Sequence, residues 1–304
     1  MTAGLIIMPP IVLTDAMLVS DTVDETLPVF NPATTYAAGD RVVIAATHMI
    51  FESAVAGNVG HYPPTSTDAH WLVVGKTNRW RMWDNRSSSV TAKAGGFYAE
   101  ATTGQVVTSV WMDYVVADSV RVRVTDPVAG VVYDRSVDFT ALPQVADHWY
   151  WFFGVREAPE GLVLLDLPAY PNATVRVDVA GANAAVGNCV LSQHLVYGEG
   201  VEFGFEIGNQ DFSVVSANPW GDMVLRPGEQ APTQSLQTVL RKGEVTMVRN
   251  RLRRLAARAA VYMAWEDVLA SAVFGVVQDH SITPTDAQEA VLKLQVKGIA
   301  NYVS

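Results

Sequence analysis

The chain has 304 residues, of which 49% are hydrophobic and 17% charged, and its formal net charge is −10. That length allows two or three domains, and the acidity argues against a protein covered in nucleic acid or adhering to an anionic membrane surface. A single cysteine, Cys189, rules out an internal disulfide and points to folding in a reducing cytoplasm.

Taken in chain order, residues 1–27 read as an extended N-terminal arm. Pro9-Pro10 forbids helix there, Ile11-Val12-Leu13 is expected as an edge strand, and the polar stretch Ser20–Thr26 reads as a linker. The apolar patch Leu5–Met8 lacks a basic start and stops at the prolines, so it makes a poor signal peptide. No apolar run reaches the ~20 residues that a membrane span needs, so no membrane insertion is expected.

Residues 28–84 form a small unit. The Gly39-Asp40 turn feeds a short apolar strand, Arg41–Ala45, and a second strand, Met49–Ala54, carries Phe51. A Gly/Pro-rich loop follows, closed by Trp71. So short a segment buries little apolar surface and must rest on a few aromatics and tight turns.

Residues 85–186 are patterned as β. Ser119–Thr125 alternates strictly, with Val120, Val122 and Val124 on one face and Arg121 and Arg123 on the other. The turn Asp126–Gly130 returns the chain into Val131-Val132-Tyr133, and Thr174–Val179 alternates again. The aromatic run Trp149–Phe153 is expected as a central strand. Strands at this spacing suggest an antiparallel sandwich or jelly roll.

Residues 187–304 are expected to combine β structure with a basic helix, an α+β docking region. Gly198, Gly200, Gly204 and Gly208 punctuate short apolar pieces. Over 244–269 the period becomes helical, with Val248, Leu252, Leu255 and Ala259 as the buried stripe. Ala272–Val277 and Ala290–Val296 then read as strands. Arg241, Lys242, Arg249, Arg251, Arg253, Arg254 and Arg258 hold seven of the 21 Lys/Arg. Arg249, Arg253 and Arg254 fall outside the stripe, which fits either a solvated face or a contact with a neighbouring subunit. With no interleaved aromatics or glycine loops, nucleic acid is not the expected partner.

The small unit resembles compact three-stranded chitin- and cellulose-binding modules, carbohydrate-binding families five and twelve. The matching residues are Tyr36, Gly39, Asp40, Val42, Phe51, Pro63, Pro64 and Trp71; Phe30-Asn31-Pro32 stands where those modules usually carry a leading Trp. The resemblance implies that Tyr36, Tyr62, Trp71 and Trp80 stack on sugar rings. The alternative is that they form the miniature core of a module that only builds a particle, since fold does not fix function.

A second resemblance spans most of the chain. The arm motif Thr14–Leu18, the junction Thr77-Asn78-Arg79-Trp80-Arg81-Met82-Trp83-Asp84, the turn Tyr170–Thr174 and the segment Phe274–Asp279 look like proteins encoded among the tail genes of tailed bacteriophages. This implies a structural subunit of the virion tail, assembled in the host cytoplasm. Its implied partners are other phage tail proteins, further copies of itself and host surface polysaccharide. Rival readings are a stand-alone carbohydrate-binding protein and a polysaccharide depolymerase.

Catalytic motifs are missing from the sequence. The six histidines are scattered without HExxH spacing, although His61 and His70 flank the Pro-rich loop and could meet. There is no Gly-x-Ser-x-Gly elbow, and Asp113 and Asp118 lack supporting context for a glycosidase pair. No enzyme, metal or cofactor is expected. The expectation is a mainly β, multidomain protein: a small three-stranded aromatic module, an antiparallel β-sandwich and a C-terminal α+β region.

Overall fold

The computed structural model describes residues 4–65, 69–84, 89–140, 149, 152, 159–202, 204–217, 220, 222–266 and 268–299. The N-terminal third contributes β1 (Leu5–Met8), β2 (Leu18–Asp21), β3 (Arg41–Ile44), β4 (Met49–Ser53), β5 (Trp71–Lys76) and the short helix α1 (Asn78–Arg81). The middle contributes β6 (Thr91–Ala94), β7 (Phe97–Thr102), β8 (Ser109–Val116), β9 (Ser119–Asp126), β10 (Gly130–Asp138), β11 (Gly161–Leu164), β12 (Thr174–Ala180) and β13 (Asn183–Ser192). The remainder holds β14 (Leu195–Tyr197), β15 (Glu206–Asp211), β16 (Val214–Ala217), β17 (Met223–Arg226), β18 (Gln230–Arg241), the helix α2 (Lys242–Arg254), β19 (Ala260–Met263), β20 (Ala272–Pro284) and β21 (Glu289–Gly298).

The protein is mainly β, as its periodicity implies. A five-stranded sheet, β10-β9-β12-β7-β2, faces a four-stranded sheet, β11-β8-β13-β6, and together they enclose the largest core. The alternating valines Val120, Val122 and Val124 of β9 and Val175, Val177 and Val179 of β12 all point inward. Each such burial contributes on the order of 1.5–3 kcal/mol. The four-stranded sheet is covered on both faces. Met112, Cys189 and Leu191 enter the sandwich core, while Trp111 and Val190 turn the other way. There they meet Ile6, Met8, Val261, Met263 and Phe274 of a third layer.

That third layer is the seven-stranded sheet β14-β1-β19-β20-β21-β18-β15. After β14 the chain returns to β18, where the Glu199 N–H donates to the Val239 carbonyl (3.2 Å) and the Glu202 N–H to the Gln237 carbonyl (2.9 Å). The sheet therefore curls around the apolar stripe of α2, in which Val248, Leu252 and Leu255 are buried as the period indicates.

Several sequence expectations need correction. The arm is not free: β1 lies inside the third layer, paired with β14 and β19, and all four of its residues are buried. An apolar run covered on both faces belongs in a sheet interior, not on a tether. Ile11-Val12-Leu13 is not a strand. Ser20 and Asp21 belong to β2 at the edge of the five-stranded sheet rather than to a linker. The division at 186/187 falls within β13, so the sandwich continues to Ser192. The basic helix ends at Arg254, not near 269, with Ala257 at φ 58° just beyond, and Ala260–Met263 is a strand buried on both faces. The central strand expected at 149–153 lies outside the described residues except for Trp149 and Phe152, both exposed.

Candidate functional site

The small unit is a three-stranded sheet, β3-β4-β5. Its turn works as the sequence suggests. Gly39 takes φ 89°, a left-handed conformation that glycine adopts without a steric penalty, and the Asp40 carboxylate accepts the Ala37 N–H at 2.7 Å. Tyr36, Val42, Ile44, Phe51 and Trp71 make its core, with Phe30 packed against them. Ring centroids lie 5.3 Å apart for Tyr36–Trp71 and 5.8 Å for Phe30–Trp71, both edge-to-face. The Tyr36 hydroxyl accepts the Asn31 N–H (2.8 Å), and the Trp71 indole N–H donates to the His61 carbonyl (2.9 Å).

This geometry corrects the stacking assignment. Tyr36 and Trp71 are buried, so their faces are covered by one another and by Phe30 and cannot receive a sugar ring. Trp80 is buried in the sandwich core and stacks on His48 at 4.4 Å. Of the four aromatics, only Tyr62 is exposed, at 46%. His61 and His70 do meet, but as parallel rings 3.6 Å apart. Nitrogen lone pairs lie in the ring planes, so rings stacked in this way do not aim at one ion. No group of three metal-ligating side chains exists among the described residues.

The junction Thr77–Asp84 has a clear physical role. The Asn78 side-chain amide donates to the Ala92 carbonyl (2.9 Å), its oxygen accepts the Ala92 N–H (3.0 Å), and its backbone N–H reaches Glu25 (3.0 Å). Arg79 pairs with Asp21 at 2.6 Å, and the Cys189 N–H donates to the Met82 carbonyl at 2.7 Å. Trp80 and Met82 supply the apolar plug. The run therefore bolts the module to the edge of the sandwich. Cys189 is buried, and desolvation pushes its thiol pKa far up, so an inert thiol is what its position supports.

Two further surfaces stand out, the second of them on the basic helix that the sequence already marks. The outer face of the five-stranded sheet carries a ladder of charges. Arg176 is held by Asp178 (2.6 Å) and Glu100 (2.8 Å) and lies 3.7 Å over the Tyr98 ring. Arg121 pairs with Asp134 (2.5 Å). The hydrogen bonds to Asp178 and Glu100 raise the Arg176 pKa, and that to Arg121 lowers the Asp134 pKa, so the ladder stays ionised. A cleft of about 480 Å³ opens on this face among Glu100, Thr102, Arg123, Asn172, Thr174 and Arg176. Strict alternation on β9 and β12 marked these residues as outward, but their pairing across strands needed the register.

The second surface is at the C-terminal layer. On α2, Arg249, Arg253 and Arg254 are exposed as expected, and Arg251 is half-buried. None of the four forms an ion pair with a carboxylate among the described residues. Arg251 and Arg254 line a cleft of about 520 Å³ with Leu195, Tyr197, Thr246 and Met247. The other feature is a two-stranded ribbon, β16-β17, that leaves the sheet between β15 and β18, all of whose residues are exposed. Its signal was legible: two apolar pairs, Val214-Val215 and Val224-Leu225, flank a turn sequence containing Asn218-Pro219 and Gly221-Asp222.

Comparison with protein-family models, with curated proteins and with solved structures finds no match for this chain.

Proposed function

We propose that this chain is a structural subunit of a bacteriophage tail or baseplate, one that anchors fibres or contacts host surface glycans. The observation that carries this reading is the junction run Thr77–Asp84, the most specific element of the phage resemblance. Its Asn78 and Arg79 fasten the aromatic module to the sandwich, Asn78 through Ala92 and Glu25 and Arg79 through Asp21. With Tyr36, Trp71 and Trp80 turned inward, the module serves as a rigid spacer, and aromatic packing is used to hold shape rather than to grip sugar.

A second reading, glycan contact by the same subunit, is favoured by the polar cleft on the outer sheet face. There Arg123, Asn172, Thr174 and Glu100 present hydrogen-bonding groups around one depression. Single weak sites of this kind gain strength through repetition on a symmetric particle.

The test is localisation. Antibody labelling and mass spectrometry of purified virions should find the chain in tails at a fixed stoichiometry. A solitary chain absent from particles, or one that releases reducing sugar from host polysaccharide, overturns the structural reading. Glycan-array binding lost on Arg123→Ala with Asn172→Ala, but kept on Tyr62→Ala, assigns sugar contact to the sheet face.

A further inference from the structure

The cleft of about 520 Å³ lies between α2 and β14, the strand at one margin of the seven-stranded sheet. On the helix, Thr246, Met247, Asn250, Arg251 and Arg254 recur at the spacings that bring side chains onto one stripe. This stripe flanks the buried one, Val248, Leu252 and Leu255, that seats the helix on the sheet. Across from it, Leu195 and Tyr197 alternate onto one face of β14 and join the same apolar cluster. The core thus fixes the rotation of the helix, and with it the direction in which the stripe faces.

The chemistry of the lining is sorted. Met247 (54% exposed) and Leu195 offer apolar surface beside the buried Tyr197. Thr246 and Asn250 offer a hydroxyl and an amide, groups that both donate and accept hydrogen bonds. Arg251 and Arg254 stand about one turn apart, with Cβ atoms about 5–6 Å from each other, so both guanidinium groups can reach one oxyanion. None of these four polar side chains makes a hydrogen bond or ion pair among the described residues.

The charge is one-sided. No Asp or Glu lines the cleft, in a chain with 31 of them against 21 Lys and Arg. Glu199, just past β14, accepts from the Arg241 guanidinium (2.6 Å), and Glu244, in the first turn of α2, accepts the Arg241 backbone N–H (3.1 Å). Both carboxylates are therefore engaged elsewhere. The helix dipole favours basic residues in a last turn, but Arg253 serves that purpose equally and does not line the cleft. Two neighbouring guanidinium groups without a counter-charge repel each other, and a bound anion relieves that repulsion.

We propose that this cleft binds a carboxylate-bearing saccharide, such as a uronic acid unit of a surface polysaccharide. The carboxylate takes the Arg251 and Arg254 end, ring hydroxyls pair with Asn250 and Thr246, and the C–H face of the ring lies on Met247 and Leu195. A volume of about 520 Å³ falls within the ~300–1,000 Å³ of small-ligand sites and has room for one or two rings. A bare phosphate would engage the arginines and leave the amide, the hydroxyl and the apolar floor idle. This inference rests on reading the chain as a subunit that contacts host glycans. It places acidic sugars here because Arg176, in the cleft of the five-stranded sheet, is already held by Asp178 and Glu100.

The test is calorimetric titration of the purified full chain with a galacturonic acid trisaccharide. Binding is expected, and it should weaken as sodium chloride is raised. A galactose trisaccharide, which has no carboxylate, should bind about tenfold more weakly or worse. Arg251→Gln with Arg254→Gln should weaken binding of the acidic sugar by about tenfold or more, whereas Arg253→Gln, which removes a charge from the same turn, should change it by less than about twofold. Met247→Trp, which fills the floor and leaves the charge alone, repeats the loss should the double variant fold poorly, with circular dichroism checking the fold. No binding by the native chain, equal affinity for inorganic phosphate or a tetraglutamate peptide, or binding lost on Arg123→Ala instead, overturns the proposal. Presence in virions is scored separately. A chain that sits in tails but ignores the acidic trisaccharide refutes this site and spares the structural reading. One that binds it through Arg251 and Arg254 yet is absent from tails does the reverse.

Discussion

Replacing Trp71 with alanine should unfold the small module while leaving the sandwich intact. Trp71 has no exposed surface, the Phe30 and Tyr36 rings against it, Val42, Ile44 and Phe51 in the same cluster, and a donated hydrogen bond to the His61 carbonyl. Burial of an indole removes on the order of 200 Å² from water, about 5 kcal/mol at ~25 cal/mol/Å². That is an upper value, because the denatured chain hides part of this area, and large-to-small changes in cores cost about 3–5 kcal/mol. The lost hydrogen bond adds about 1 kcal/mol. A unit of this size commands only about 3–9 kcal/mol of stability in total, at roughly 0.05–0.15 kcal/mol per residue. The loss therefore matches the reserve. Hydrogen exchange read by mass spectrometry is the assay. Amides of β3, β4 and β5 should lose protection in Trp71→Ala, while those of β9 and β12 exchange as before. Trp71→Phe, which keeps a ring in the core, should retain most of the protection. Undiminished protection of β3–β5 in Trp71→Ala, accompanied by loss of sugar affinity, would refute the argument and return Trp71 to a binding role.

Tyr262→Phe should leave the fold unchanged and raise stability by about 1 kcal/mol, because the buried hydroxyl has no hydrogen-bond partner among the described residues; a lower urea midpoint would show that it has one. Tyr133 is pushed up to about 12 by desolvation and by its hydrogen bond to Asp166 (2.7 Å), against an ordinary 10.0. The folded state holds that proton more tightly, so its contribution is complete below the ordinary value and is lost as pH rises towards about 12. Ultraviolet titration should show this late phenol, and Asp166→Ala should bring it down. Cys189 should stay unreactive to thiol reagents in the native protein and react only on unfolding, at the rate of global opening.

What the sequence showed was whatever depends on local period. Val120-Val122-Val124 and Val175-Val177-Val179 announced a half-buried sheet, Val248, Leu252 and Leu255 the stripe of α2, and Gly39-Asp40 its turn. What it hid depends on partners distant along the chain. Leu5–Met8 reads as an arm because nothing nearby covers it; its neighbours in space are β14 and β19, from residue 195 onward. Tyr36, Trp71 and Trp80 read as platforms because a motif gives residue type without orientation, and only the ring geometry shows that they point at one another or into the sandwich. The ionic ladder on β7, β9 and β12 was invisible for the same reason, since Arg176 and Glu100 become neighbours through register alone.

The position of β1 also has a consequence for biosynthesis. Leu5–Met8 is translated about 250 residues before β19 (Ala260–Met263), which covers one of its edges. Until β14 is made, at residues 195–197, the apolar tetrapeptide has neither of its strand partners, and the edge that β19 covers stays open until residues 260–263, an invitation to intermolecular association that a holdase or rapid completion of the nascent chain relieves. Chains halted before β19 should therefore accumulate in the pellet, and deleting the first eight residues from such fragments should return the sandwich portion to the supernatant.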